Sequence, residues 1–323
     1  MRITKELFQV VPDEETAKKL FKENVDTVEL GISSYCNRTC SYCPNSFVDR
    51  KSAEIQMSDE LFDNVMHQLK KIDYAETITI HRYNEPFSDF SYALRRIEAI
   101  KDLLPNSKLV ISTNGDYLTR ERLLLVVNSL TARDSLHITL HFASQDRDYE
   151  EKKNELKKRV ENLGFNHSEY TESPLKTSTW LDFGQKCRIE YRVINFFAGF
   201  STSMITDRGE TLNELKVITR RVRPCFTTVT QMQIDFDGSL QPCCNIHSSV
   251  AAHSKYSMGR LDSSSSIFLV YCSSKYVQWR KSMISFQEKD APCQSCTDST
   301  PQDGPETMKN RLRIALMRRK VGL

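Results

Sequence analysis

Three cysteines in one short loop, Cys36, Cys40 and Cys43, have the residue type and the spacing that bind an iron–sulfur cluster. Their pattern is C-x3-C-x2-C, and the aromatic Tyr42 stands directly before the third cysteine. Three thiolates can each ligate one iron of a [4Fe–4S] cube, which leaves the fourth iron open for a ligand that the protein does not supply. A structural zinc site needs a closed set of four nitrogen or sulfur ligands, and this loop has no fourth ligand of that kind. The spacing therefore favours an open-site cube.

A second set of cysteines lies near the C-terminal end of the chain. Residues 231–242 alternate in polarity around Asp237-Gly238, which predicts a β-hairpin. The cysteines that surround this hairpin and the C-x2-C pair after it are Cys225, Cys243, Cys293 and Cys296. Four thiolates can close tetrahedrally on zinc or fill all four corners of a second cube, so the residues alone leave both open.

The elements that must position these cysteines alternate between strand and helix. Short β-branched segments predict strands at 27–33, 76–81, 108–113 and 135–142. Helical spacing predicts the helices 58–71, with Ser58 as its N-cap, 89–103 and 119–128. Such alternation indicates βαβ units and a parallel α/β sheet, whose carboxyl ends form the active-site edge. The segments that follow strands, and should therefore meet at that edge, are the cysteine loop, 84–86, 114–115 and 143–144.

The composition excludes several classes of protein. The chain has 323 residues, ten cysteines and a formal net charge of +3. Cysteines grouped in this way in so long a chain indicate metal ligation in a reducing compartment, so the expected location is the cytoplasm. The first residues lack the apolar run of a signal peptide, and no stretch reaches the ~18 apolar residues of a membrane span. The small net charge gives no general reason to expect a nucleic-acid partner.

The cysteine loop resembles the signature of the radical S-adenosylmethionine (SAM) enzymes over Ser34–Ser46. In that family the amine and carboxylate of SAM chelate the open iron, and an electron cleaves SAM to methionine and a 5′-deoxyadenosyl radical that abstracts a substrate hydrogen. The resemblance implies a partial (β/α)6 barrel. The second cysteine set resembles the short, SPASM-like "twitch" domain of the family. That resemblance implies one auxiliary [4Fe–4S] cluster held by the four cysteines named above, and hence SAM and two [4Fe–4S] clusters as cofactors.

The family resemblance also assigns residues to SAM. Tyr83–Pro86 matches a Gly-Gly-Glu-like turn whose backbone binds the SAM amine, with Asn84 in place of the usual glycine. Ser112–Gly115 resembles the strand end that contacts the ribose, and Tyr42 is expected to lean on the adenine. The residues assigned to SAM in this way are Tyr42, Asn84, Glu85, Pro86, Ser112 and Asn114. The alternatives are that Glu85 is a structural ion-pair partner, that Asn114 belongs to an ordinary Asn-Gly turn, and that Tyr42 packs only on the cluster.

The expected domain organisation follows from these matches. Residues 1–222 form the barrel, with an N-terminal extension and a polar insertion near 145–185. Within the barrel, residues 145–166 are expected to form an exposed helix and residues 166–179 a polar loop. Residues 188–194 and the apolar segment after them are expected to form late strands. Residues 223–300 form the auxiliary-cluster domain. Residues 301–323 form a basic C-terminal helix, whose charges are more simply solvated than bound to phosphate.

Within the family, the chain resembles the aminocyclitol dehydrogenases of the butirosin pathway, most clearly in Ser34–Ser46, Tyr83–Pro86 and Thr113–Thr119. The resemblance implies a sugar or aminocyclitol substrate from antibiotic biosynthesis and a reductant such as flavodoxin or ferredoxin. Arg208 matches, more loosely, an arginine that faces the substrate; otherwise it lies on a surface turn.

Cys244 stands where those dehydrogenases have phenylalanine, and aminoglycoside epimerases of the family use a cysteine as hydrogen donor. The first hypothesis is therefore an epimerase with Cys244 as donor, although Cys244 can equally be a packing residue. The alternatives are a dehydrogenase whose auxiliary cluster accepts the electron, and an enzyme that modifies a peptide.

Overall fold

One mixed β-sheet of ten strands runs through the part of the chain that the structure, a computed structural model, describes: residues 4–141, 148–195, 206–212, 220–297 and 319. The strands are β1 (Thr27–Leu30), β2 (Thr77–Thr79), β3 (Lys108–Thr113), β4 (Ser135–Leu140), β5 (Thr171–Glu172), β6 (Lys176–Leu181), β7 (Arg188–Ile194), β8 (Gln231–Ile234), β9 (Ser239–Gln241) and β10 (Gly259–Arg260). Their order across the sheet is β10-β9-β8-β1-β2-β3-β4-β7-β6-β5.

The central strands of the sheet, from β8 through β1 to β4 and β7, are all parallel. Strands β10 and β5 end the order among the described residues, so the sheet is open and does not close into a full barrel. The predicted α/β partial barrel is therefore confirmed, and the four early strands lie where the sequence predicts them. The apolar segment after 194, residues 143–144 and the expected C-terminal helix lie outside the described residues.

Helices cover the sheet and begin at predictable caps. They are α1 (Glu14–Asn24), α2 (Asp59–Lys71), α3 (Phe90–Leu103), α4 (Arg120–Ser129), α5 (Tyr149–Leu163), α6 (Thr227–Thr230), α7 (Ile267–Tyr271) and α8 (Ser274–Met283). The side chains of Ser58, Asp89, Thr119 and Asp148 each accept a hydrogen bond from a backbone amide in the first turn of their helix. Each cap satisfies an amide that has no partner within the helix. No helix of the described residues is long and apolar enough to cross a membrane.

Strand register separates an apolar face from a polar face. Val28, Ile78 and Leu109 are paired across β1, β2 and β3, and all three are fully buried. Because side chains alternate along a strand, Glu29 falls on the opposite face. On that face, Ser112 is paired with His137. The helices cover the apolar face of the sheet. The polar face, which carries Glu29, Ser112 and His137, lines the interior of the partial barrel and therefore points toward the site.

The polar segment after α5 differs from the prediction. Residues 166–179 were expected to form a loop, but β5 and β6 lie within 171–181 and pair with each other, while β6 also pairs antiparallel with β7. Thr177 and Thr179 are buried in this pairing. Threonine is polar in composition but favours strands because its branched Cβ suits the pleated sheet.

The predicted auxiliary hairpin is confirmed, yet it is joined to the barrel. Strands β8 and β9 pair antiparallel. At the turn, Gly238 has a φ of 84°, and a Cβ there would lie 2.3 Å from the carbonyl oxygen of Leu261. Strand β8 also pairs parallel with β1, Thr27 opposite Gln231. The hairpin is therefore continuous with the main sheet.

Candidate active site

A cavity of about 310 Å³ opens at the carboxyl ends of the parallel strands. The cysteine loop forms one wall, with Cys40 buried and Cys36 and Cys43 half-buried. The predicted SAM and catalytic residues that share this cavity are Tyr42, Asn84, Glu85, Ser112, Asn114, Arg208 and Cys244. Pro86 is buried and does not line it. The four auxiliary cysteines lie outside it as well.

The cysteine loop is fastened to the ends of β3 and β4. Arg38 donates from Nε and Nη2 to the two carboxylate oxygens of Asp116, at 2.7 and 2.6 Å, and from Nη1 to the carbonyl oxygen of His141. Asn37 donates to Asp116 and accepts from the side-chain amide of Asn114, both at 2.8 Å. Burial alone would raise the pKa of Asp116, but the Arg38 guanidinium lowers it to about 2. Asp116 is therefore a permanent anion that positions the loop.

The three thiols of this loop suit a metal cluster by their chemistry. Burial raises the pKa of Cys36 to about 12 and that of Cys40 to about 11. As free groups they are neutral thiols, and only a bound metal makes such a group a thiolate at neutral pH. No three His, Cys, Asp or Glu side chains among the described residues come close enough to hold a single ion. The thiolates of a cube are bound to different irons and need not meet at one point.

Glu85 braces the turn after β2. Its Oε1 accepts from the hydroxyl of Thr113 at 2.5 Å and from the amide of Phe87, and its Oε2 accepts from the amide of Asn114 at 2.8 Å. Its own amide donates to the carbonyl oxygen of Tyr35 at 2.7 Å, beside the first cysteine. Burial raises the pKa of Glu85 to about 7. The carboxylate of Glu85 thus connects the ends of β2 and β3, and its backbone amide connects them to the cysteine loop.

Two partly buried histidines line the cavity and were not predicted. His81 accepts from the amide of Ser112 at Nδ1, 3.0 Å away, and His141 is hydrogen-bonded through Nδ1 to the hydroxyl of Tyr42. Burial lowers the pKa of His81 to about 4 and that of His141 to about 3, so both rings are neutral. Acceptance at Nδ1 places the ring proton of His81 on Nε2. Their only sequence signal is position, since each lies at or just past the end of a strand.

Glu29 is a carboxylate in the cavity wall that sequence reasoning missed. Its Oε1 lies 3.2 Å from Nε of Arg82. Nη1 of the same arginine lies 3.5 Å from Oδ2 of Asp235. Burial raises the pKa of Glu29, with Arg82 opposing the rise and Asp235 adding to it. The available signal was one charged residue at an inward position of the apolar segment 28–32.

The two predicted catalytic residues lie in the cavity wall. Arg208 has a φ of 50° and donates from Nη1 to Oδ1 of Asn245 at 3.0 Å, which directs its guanidinium inward from a turn. The carbonyl oxygen of Cys244 accepts from the hydroxyl of Tyr83 at 2.6 Å, which fixes the backbone at that residue. Arg208 and Cys244 therefore both lie in the wall of the cavity that the cysteine loop lines.

The auxiliary cysteines do not line the cavity. Burial raises the pKa of Cys243 well above its usual range, and the neighbouring thiols of Cys244, Cys293, Cys296 and Cys225 add to the rise. The amide of Cys296 donates to the carbonyl oxygen of Cys293, which closes the C-x2-C turn. Cys244 lines the cavity and Cys243 does not, as alternation in an extended segment requires.

Two family models match the chain. Residues 31–165 match the Radical SAM superfamily, and residues 225–297 match SPASM, described as an iron–sulfur cluster-binding domain. The first range contains the cysteine loop and the second contains all four auxiliary cysteines.

The chain is similar to one curated enzyme, the S-adenosyl-L-methionine-dependent 2-deoxy-scyllo-inosamine dehydrogenase of Niallia circulans. The two are 38% identical over 96 residues, which are 30% of this chain and 38% of that enzyme. The aligned part therefore spans well under half of the relative.

Solved structures share the fold. BtrN in complex with AdoMet and 2-DOIA superposes with a TM-score of 0.59 at 20% identity, over 86% of this chain and 95% of that one. Selenomethionine BtrN in an open conformation superposes with a TM-score of 0.50 at 19% identity, over 80% of this chain and 85% of that one. The cysteine loop and the auxiliary cysteines each fall within a matched range, so the chain contains a radical SAM domain and a SPASM iron–sulfur cluster-binding domain, and the cofactors of such domains are SAM and iron–sulfur clusters.

Proposed function

We propose that this chain is a radical SAM dehydrogenase that oxidises an alcohol carbon of a sugar- or aminocyclitol-like molecule to a ketone. The observation that carries the proposal is a cavity that joins the cysteine loop to the partly buried ion pair of Glu29 and Arg82. The activity of the relative named above supports the same substrate class. This is the reading that the sequence placed second, after epimerisation.

The residues that would hold the cofactors follow from their positions. Cys36, Cys40 and Cys43 would hold a cube with one open iron, and the backbone around Glu85 would bind the SAM amine. Cys225, Cys243, Cys293 and Cys296 would hold the auxiliary cube. When bound, these groups supply a 5′-deoxyadenosyl radical that takes the carbinol hydrogen atom, and an acceptor for one electron.

The chain's own residues would complete the oxidation by moving a proton. Formation of the ketone removes one hydrogen atom from carbon, one electron, and the hydroxyl proton. Glu29 is suited to accept that proton because burial raises its pKa, which makes its carboxylate a stronger base. Arg208 would bind the substrate oxygen, since its guanidinium is held in the wall by Asn245.

Epimerisation is the second candidate, and one observation favours it. Cys244 lines the same cavity as the cysteine loop, so its thiol can reach a substrate radical there. A thiol that gives a hydrogen atom to the opposite face of the carbon would leave the substrate inverted and not oxidised.

Product analysis in deuterium oxide separates the two. The test uses the reconstituted full chain, a low-potential reductant of the flavodoxin or ferredoxin class, and a panel of aminocyclitols and amino sugars. We expect a ketone two mass units lighter than the substrate, formed equally well by Cys244→Ala. An epimer with one deuterium at the inverted carbon, lost in Cys244→Ala but kept in the matched buried variant Cys187→Ala, would contradict the dehydrogenase.

Glu29→Gln tests the base. A glutamine keeps the shape of the side chain but cannot accept the proton, and general-base catalysis is worth roughly 10²- to 10⁴-fold. We expect 5′-deoxyadenosine to form while the ketone yield per SAM falls by at least tenfold. An unchanged ratio of ketone to 5′-deoxyadenosine would remove Glu29 from the mechanism.

A further inference from the structure

Arg221 is a buried arginine at the auxiliary cysteines that no step above uses. Only 5% of its surface is exposed. Its Nη1 lies 3.6 Å from Sγ of Cys296 and 3.4 Å from the carbonyl oxygen of the same residue. An N–H donor from a guanidinium to a thiolate sulfur is a charge-assisted hydrogen bond.

The guanidinium is fixed by both segments that carry auxiliary cysteines. Nε donates to the carbonyl oxygen of Arg223 at 3.1 Å, and Nη2 donates to that of Pro224 at 3.0 Å, directly before Cys225. The backbone amide of Arg221 donates to the carbonyl oxygen of Gln294, inside the C-x2-C turn. Arg221 is therefore held in one place by the protein backbone, whichever oxidation state the sulfurs have.

A hydroxyl group makes a second contact to sulfur. Oγ1 of Thr227 lies 3.3 Å from Sγ of Cys225. When Cys225 is a thiolate it has no proton to give, so Thr227 must be the donor. Two of the four auxiliary sulfurs thus have a side-chain donor, and one of these donors is charged.

Other charged residues of the described part of the chain lie close to Arg221. Lys289 is buried, and its backbone amide donates to the carbonyl oxygen of Arg221 at 3.0 Å. The carboxylate of Asp207 accepts from the hydroxyl of Ser295, and that of Glu210 accepts from the side-chain amide of Gln294. Both carboxylates are thus held on residues between the cysteines, whereas the guanidinium of Arg221 contacts a sulfur directly.

We infer that Arg221, assisted by Thr227, raises the reduction potential of an iron–sulfur cluster held by the four auxiliary cysteines and so makes it the electron acceptor of the enzyme. Reduction adds negative charge to a cluster. That charge is stabilised by hydrogen-bond donors to the cluster's sulfurs and by nearby cations. The role as electron acceptor rests on the proposed function. The effect of Arg221 on the reduction potential does not, because it can be measured on the chain without substrate.

The test measures a potential and not a turnover. The full chain with Cys36, Cys40 and Cys43 replaced by alanine is reconstituted with iron and sulfide, and its cluster is titrated redox-potentiometrically with detection by electron paramagnetic resonance. We expect Arg221→Gln to lower the potential by at least ~59 mV, the tenfold equivalent for a one-electron couple. Arg221→Lys should recover part of the loss because it keeps the charge.

Matched variants separate tuning from structural damage. Arg220 is the neighbouring arginine, but it is exposed and paired with Glu288, and the hydroxyl of Thr228 donates to a carbonyl oxygen and not to sulfur. Arg220→Gln and Thr228→Val should leave the potential unchanged, while Thr227→Val should lower it by less than Arg221→Gln.

Two results would overturn the inference. One is an unchanged reduction potential in Arg221→Gln when this variant has its full iron content. If Arg221→Gln does not take up a cluster, an unchanged potential in Thr227→Val has the same meaning. The other is stoichiometric zinc at these cysteines under iron-replete reconstitution, which would also remove the acceptor from the proposed function. A ketone that never forms, with the potentials shifting as expected, would instead contradict only the proposed function.

Discussion

The two cysteine sites differ in how the chain builds them. Cys36, Cys40 and Cys43 come from one loop at a cavity, and polar side chains from neighbouring strand ends hold that loop. The auxiliary cysteines come from three separate segments between Cys225 and Cys296 and face away from the cavity. The first arrangement would leave room for an exchangeable ligand, whereas the second would supply four protein ligands.

The charges around the loop cysteines are mixed. Glu85 adds to the rise that burial causes in the pKa of Cys36, but Arg38 opposes the rise at Cys40 more strongly than Asp116 adds to it, and Arg208 and Arg50 oppose the rise at Cys43. The auxiliary site differs in having a buried guanidinium, that of Arg221, 3.6 Å from a cysteine sulfur. The two sites are thus distinguished by a fixed donor at one sulfur and not by the general charge around them.

Removal of either set of cysteines should produce the largest contrast. Replacing Cys36, Cys40 and Cys43 with alanine should halve the iron and abolish SAM cleavage. Replacing the auxiliary four should also halve the iron but leave SAM cleavage in place, because the open iron belongs to the loop. Iron and sulfide analysis with 5′-deoxyadenosine release measures both. SAM cleavage that survives without the loop cysteines would break the comparison.

Glu85→Ala should weaken SAM binding by at least tenfold without removing iron. The carboxylate accepts from Thr113 and from the amides of Asn114 and Phe87, so its loss frees the turn that is expected to hold the SAM amine. Equilibrium dialysis with labelled SAM measures the affinity. The matched control is Glu54→Ala, an exposed carboxylate bonded to Ser88 beside the same turn, which should bind SAM normally. Equal affinity in all three proteins would make Glu85 purely structural.

The same carboxylate should give the metal-free chain a pH-dependent stability. Its pKa is about 7 when folded, against 4.5 for an ordinary glutamate, so the folded state keeps a proton that the unfolded state releases. Its contribution is then complete below about pH 4.5 and is lost as the pH rises to about 7, by at most about 3 kcal/mol. Glu85→Gln cannot titrate, so urea unfolding at pH 5 and pH 8 should favour the variant more at pH 8. Parallel pH profiles would contradict this.

Asp116→Asn should have the smallest effect and should act on the loop site alone. The pair with Arg38 is half-exposed, so its loss costs roughly 1 kcal/mol, or about fivefold in the rate at which a chelator removes the loop iron. The auxiliary iron should leave at the rate of the parent protein. Glu15→Gln, which breaks a surface pair with Lys18 on α1, is the control for a general loss of charge. Equal acceleration at both sites would show that Asp116 stabilises the whole fold.

Local signals explain what could be predicted. Ser58 caps α2, and Asp237-Gly238 turns the hairpin, because both effects act within a few residues of sequence. The cysteine spacing predicts both metal sites from signals of the same local kind.

Non-local contacts explain what could not be predicted. The parallel pairing of β8 with β1, the inward position of Glu29 beside Arg82, and the contact of Arg221 with Cys296 all join distant parts of the chain. Nothing in the composition of 166–181 distinguishes a polar strand from a polar loop. The alternation there is carried by threonines, which become buried only when β7 lies beside them.

The pairing of β8 with β1 also orders events during synthesis. Thr27 lies opposite Gln231, so one edge of β1 has no partner until the ribosome has made the hairpin, roughly 10 to 40 seconds later at ~5–20 residues per second. An unpaired edge strand is a template for association with other chains. The loop cysteines leave the ribosome early in that interval, Cys225 leaves at its end, and Cys243, Cys293 and Cys296 follow only after it. The loop set is therefore complete long before the auxiliary set, while one edge of β1 still has no partner.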